Sequence, residues 1–131
     1  MSNLGSAFVN LIASTGVLGN RIYLDVAPAN TPPPYATYND NLSSSPAMHG
    51  DGVTSYFTRT ITLDIWQARE VEDVQLVADV VSVLNGYKFV VGGLTTKGSR
   101  VTSVDRIVEE EGSGVCHHVV TYELKHPVGM A

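Results

Sequence analysis

Cysteine is nearly absent. The 131 residues contain one, Cys116, which rules out an internal disulfide framework and any site built from several thiolates. Basic side chains are scarce as well. Eight Lys and Arg stand against thirteen Asp and Glu, for a formal charge of −5, and a chain whose main task is to neutralise phosphates needs the opposite balance. No apolar run approaches the roughly 20 residues that span a bilayer. Met1 to Ile12 contains no Lys or Arg and is interrupted by Asn10, unlike a signal peptide. The expectation is a soluble protein of intracellular origin with no membrane association. What is present is ordinary for a globular chain, with 44% hydrophobic and 16% charged residues. The length suits one domain, residues 1–131.

Hydrophobic spacing sets out the elements. Leu4, Phe8, Leu11 and Ile12 recur at helical intervals, so a short N-terminal helix is expected, capped by Ser2 or Asn3 and ended by Gly16 and Gly19. Ile22, Leu24 and Val26 alternate, predicting a short extended stretch. Pro32, Pro33 and Pro34 remove three amide donors and form a stiff connector. Tyr35 to Tyr38 is β-prone. Residues 39–52, rich in Asn, Ser, Asp and Gly without hydrophobic period, are expected to form a long flexible loop.

The clearest strand is Val53 to Trp66. Phe57, Ile61, Leu63 and Ile65 share one face, and Thr58, Thr60, Thr62, Asp64 and Trp66 share the other, as in a sheet with one face on the core. Glu70 to Asn85 predicts a long amphipathic helix with a stripe of Val71, Val74, Val77, Ala78, Val81 and Leu84. Glu70, Glu72 and Asp73 fall in its first turn and Gly86 at its end. Tyr87 to Val91 is short and extended. Val101 to Glu110 mixes parities, requiring either a bulge or burial on both sides. Cys116, His118, Val120, Tyr122 and Leu124 alternate with His117, Thr121 and Glu123, and Gly112 to Gly114 forms a turn between these last two strands. Residues 126–131 are expected to be a loose tail. The sum is an α+β fold, a mostly antiparallel sheet with the N-terminal helix and the amphipathic helix packed on one face.

Catalytic and metal constellations do not assemble from these residues. Neighbouring strand residues point to opposite faces, so His117 cannot join Cys116 and His118 in a metal site, and His49 and His126 lie in segments read as flexible. No nucleophile elbow and no phosphate-binding Gly-rich loop occurs. Asp64 with Glu109, Glu110 and Glu111 could suggest the paired carboxylates of a metal-dependent nuclease. Asp64 faces water and the glutamates end a strand, so no enzymatic role, metal or cofactor is expected. Lys97, Arg100 and Arg106 are scattered and make no nucleic-acid platform. The long loop, the Pro run and the Thr-rich strand face instead suit a subunit that acts through its surface.

Several segments carry a family resemblance. Gly19-Asn20-Arg21-Ile22-Tyr23 looks like a Gly-x-Arg-Val-Tyr stretch, and Pro34-Tyr35-Ala36-Thr37-Tyr38 like a Pro-Tyr-Val-x-Tyr strand. Leu63-Asp64-Ile65-Trp66 resembles a Val-Asp-Ile-Trp tetrad ending a long strand. With the amphipathic helix and the closing His118 to Lys125 strand, residues from about Leu11 to Lys125 resemble the tail completion, or tail terminator, family of long-tailed bacteriophages.

The resemblance implies a structural virion protein without cofactor, made in the host bacterial cytoplasm. It implies a homo-oligomer, a hexameric ring at the head-proximal end of the tail tube that ends tube polymerisation and joins the tail to the neck and head. The partners are then the major tail tube protein and a neck or connector protein, and DNA passes through without sequence-specific binding. A neck adaptor or stopper is the alternative. On this reading Asn41, Leu42, Ser44, Met48, His49, Asp51 and Trp66 are expected at contacts between subunits or with a partner. Glu109, Glu110, Glu111 and Glu123 are expected to face the channel.

Overall fold

A computed structural model describes residues 4–16, 18, 21–42, 47–48, 55–68, 70, 72–108 and 115–127. The elements are α1 (Leu4–Ala13), β1 (Ile22–Leu24), β2 (Tyr35–Leu42), β3 (Ala47–Met48), β4 (Ser55–Ala68), α2 (Val74–Leu84), β5 (Val90–Val91), β6 (Leu94–Thr95), β7 (Lys97–Val108) and β8 (Val115–Pro127). The main sheet runs β1-β2-β4-β8-β7, with β3 also paired to β4. Every pairing in it is antiparallel except that of β1 with β2. The fold is thus mixed α and β, with a mostly antiparallel sheet and two helices.

The alternation in β4 and β8 determines where the core lies. Ile61 sits opposite Tyr122, Leu63 opposite Val120 and Ile65 opposite His118, so the apolar sets of both strands reach the same face. Ile61, Leu63, Ile65, Val120, Tyr122 and Leu124 are fully buried there, in one cluster with Leu4, Phe8 and Ile12 of α1 and Leu76, Val77, Val80 and Leu84 of α2. Phe8 is at the centre, its ring 5.7 Å from Tyr38, 5.9 Å from Tyr122 and 6.5 Å from Phe89. The β5–β6 hairpin adds Phe89 and Val91 to this cluster. Its Gly92 and Gly93 both adopt positive φ (60° and 81°), the backbone that a two-residue hairpin turn requires.

The helix between β4 and β7 is shorter than its hydrophobic spacing predicts, and its buried stripe is shifted. It starts at Val74, where Asp73 accepts a hydrogen bond from the Gln75 amide at 2.9 Å. Gln67, itself buried at the end of β4, holds Asp73 from both sides: its Nε2 donates to the Asp73 carbonyl (3.1 Å) and its Oε1 accepts from the Asp73 amide (3.2 Å). The cap is therefore anchored to the sheet, and Glu72 precedes the helix. Val74 is 67% exposed, while Leu76, absent from the expected stripe, is buried. Val71 lies outside the described residues.

Two other expectations are corrected. Residues 39–52 are not one loop, because β2 continues through Leu42 against Arg59 of β4, and Ala47–Met48 pairs with Tyr56 and Ser55. The polar run Asn39 to Leu42 is held extended by the length of its partner strand. The tail does not begin at His126, because β8 runs to Pro127. His126 is 3% exposed and its ring lies 5.6 Å from that of Phe57. The mixed parity of β7 resolves as bulging, with register shifts between Lys97 and Arg100 and between Val101 and Ser103. It is an edge strand and is not buried on both sides. Pro33-Pro34 is cis. The expected N-cap residues Ser2 and Asn3 and the Gly112–Gly114 turn lie outside the described residues.

Phe8→Ala should cost about 3–5 kcal/mol in denaturant unfolding, from lost burial and the cavity left behind. Asp73→Ala should cost about 1 kcal/mol through loss of the cap.

Candidate functional site

The sheet face opposite the helices has no covering layer among the described residues. It presents Thr58, Thr60 and Thr62 of β4 and, from β8, Thr121 and Glu123, the latter opposite Thr60. At one end three rings line up across three strands. Tyr35 pairs with Trp66 and Trp66 with His117; the ring centroids are 6.1 Å apart in the first pair and 4.0 Å in the second, with near-parallel planes in both. Cross-strand aromatic pairs of this kind stabilise a sheet and stiffen its surface. Asp64 lies beside the stack, its Oδ1 3.7 Å from His117 Nε2. Partial burial pushes the Asp64 carboxyl above its ordinary range, and the imidazole opposes that shift. The segment 25–31 flanks the stack, so that Val26, Ala27, Pro28, Tyr35, Thr37 and Trp66 line an open cleft of about 400 Å³.

On the helix side, a polar cluster ties the start of α2 to the sheet. The Glu72 carboxylate accepts two hydrogen bonds from Arg106, at 2.6 and 2.7 Å, and lies 3.3 Å from His118 Nε2. The Arg106 bond chiefly lowers the Glu72 carboxyl, with partial burial opposing it. His118 is pushed below the ordinary imidazole value, first by burial, while Glu72 pulls the other way. A second two-bonded pair joins Arg59 to Asp40 at 2.6 Å for each bond, with both side chains largely buried. Sequence reasoning placed Glu72 within the helix and identified neither pair. Partners 34 and 19 residues apart leave no local signature.

Trp66 belongs to the uncovered face. Asn41 and Leu42 are in β2, opposite Thr60 and Arg59, and Met48 is in β3 opposite Ser55. Ser44, His49 and Asp51 lie outside the described residues, as do Glu109, Glu110 and Glu111. Glu123 is on the uncovered face, its carboxylate 3.8 Å from the Arg100 guanidinium. Cys116 and His118 point to the helix side and His117 to the other, as strand alternation demands. Among the described residues no three His, Cys, Asp or Glu side chains form a group able to hold a metal ion. Among the described residues no helix is long and apolar enough to cross a membrane.

This fold is also found in assembled virus-like particles. A chain of the structure titled "Virion of native gene transfer agent (GTA) particle" superposes with a TM-score of 0.69, over 95% of both chains at 12% identity. A second solved chain superposes at 0.58, over 95% of this chain and 90% of its own, at 13% identity. No curated protein matches the sequence. The class is that of structural proteins of phage-like virions. Residues 6–126 match the family described as "Tail completion protein gp17", and the chain belongs to that family. It is a structural protein of the phage tail.

The buried imidazoles produce a pH dependence that can be measured. Burial pushes His126 below the ordinary value, as it does His118. Below about pH 6.5 the unfolded chain therefore takes up protons that the folded chain refuses. Stability should be fully present above that pH and should decline as the pH falls toward the lowered folded values. Glu72 extends the loss at lower pH, where its depressed carboxyl is finally protonated, while Asp64 acts in the reverse sense within the carboxylate range. Urea midpoints measured between pH 7.5 and 5 should fall with pH, and a level profile would contradict this account.

Proposed function

We propose that this protein ends the growth of the tail tube, forming a ring of copies on its head-proximal end and offering a joining surface to the neck. The observation that carries the reading is the family match across residues 6–126. The uncovered sheet face agrees with a subunit that works by docking. In this reading residues 1–131 act as one domain and the ring is a hexamer. Its partners are the major tail tube protein below and a neck or connector protein above. A head-to-tail contact closes into a cycle when its rotation divides the circle.

Contacts between subunits or with a partner are assigned to Asn41, Leu42, Ser44, Met48, His49 and Asp51, and to Trp66 on the uncovered face. Glu109, Glu110, Glu111 and Glu123 are assigned to the channel. A net charge of −5 repels the DNA backbone, so a passing duplex is not retained.

Electron microscopy of particles made without this gene tests the proposal. Overlong, headless tubes are the expected result. Tails of normal length detached from filled capsids would instead assign the protein to the neck, as an adaptor or stopper.

A further inference from the structure

The main sheet has two edges that no described residue pairs, and both carry exposed apolar side chains. At one edge is β1, with Leu24 57% exposed and Val26 just beyond it 77% exposed. At the other is β7. Its first part is occupied by the end of α2, where the Gly86 amide donates to the Ser99 carbonyl (3.0 Å) and Asn85 Oδ1 accepts from the Val101 amide (3.1 Å). Residues 102–108 remain open, and they include Val104 and Ile107, 45% and 43% exposed. Unpaired strand edges bearing apolar residues are templates for another strand, and soluble proteins normally blunt them.

We infer that these two edges are the halves of one self-association contact, in which the open part of β7 in one copy lies along β1 of the next, placing Val104 beside Leu24 and Ile107 in the cleft between Val26 and Trp66. Face matching supports this pairing. Two sheets joined edge to edge keep their faces continuous, because side chains alternate strictly. Val104 sits opposite Val120 and so belongs to the helix side. Leu24 sits opposite Tyr38, which sits opposite Leu63, and belongs to the same side. Ile107 sits opposite His117 and so belongs to the uncovered face, where the cleft beside Trp66 opens.

A contact between unlike edges also uses both edges in every copy, and only a closed cycle leaves neither exposed. The inference rests on the ring reading and specifies its contact.

Cysteine cross-linking of the full chain tests it, with the wild-type protein as control because its Cys116 is fully buried. Under mild oxidation Leu24→Cys/Val104→Cys should give a ladder of covalent multimers that collapses on reduction. Either single variant should give none. Dimers from Val104→Cys alone would overturn the inference in favour of a two-fold contact. Ile107→Lys, on an exposed position, should keep the far-ultraviolet spectrum and lose the associated species in light scattering. An associated wild type that neither forms the ladder nor responds to Ile107→Lys would overturn the edge contact and leave the ring reading standing. A wild type that stays monomeric at every concentration, alone and with tail tubes, would overturn both.

Discussion

The register between β4 and β8 is the constraint on which the rest depends. Side chains alternate with a period of two, so sliding one strand by a single residue would carry Ile61, Leu63 and Ile65 out of the core and bring Thr60, Thr62 and Asp64 in. The native register sets Ile61 against Tyr122 and Leu63 against Val120 on one side and leaves a threonine-rich surface on the other. Both helices then have one apolar floor to cover, and the opposite face is left for other purposes. The Gln67 clamp on Asp73 continues this logic, because the end of the long strand determines where α2 begins.

Charged and polar groups pair where they secure joints between elements. Arg59 and Asp40 join β4 to β2, and Glu72 joins the approach to α2 with both β7 and β8 through Arg106 and His118. Each is a geometrically specific, charge-assisted contact. Such pairs add little net stability beyond what an apolar replacement would give. Their value here is in fixing how a short helix sits on a twisted sheet.

Much of this was legible in the sequence, and the reasons are local. The alternation in β4 and β8 and the helical spacing of Leu4, Phe8 and Ile12 reflect a face meeting a core, and each gave the right element. The extension of β2 through Asn39 to Leu42 was not legible, because a long partner strand overrides the poor β propensity of Asn and Asp. The parallel pairing of β1 was not legible either, since the alternation of Ile22 and Leu24 predicts an extended stretch but not its partner. Within the candidate site Trp66 was placed on the correct face by parity. Its neighbours Tyr35 and His117 come from strands 31 and 51 positions away in the chain, and the stack they form exists only once the register is set.

The strand order has a consequence for synthesis. β8 lies in the sheet between β4 and β7, although it follows both in the chain. Until residues 115–127 have emerged, the two strands it will separate have no partner between them, and the hydrophobic floor beneath the helices is incomplete. The pairing that joins β4 to β7 therefore waits on the synthesis of β8, whatever else has already folded.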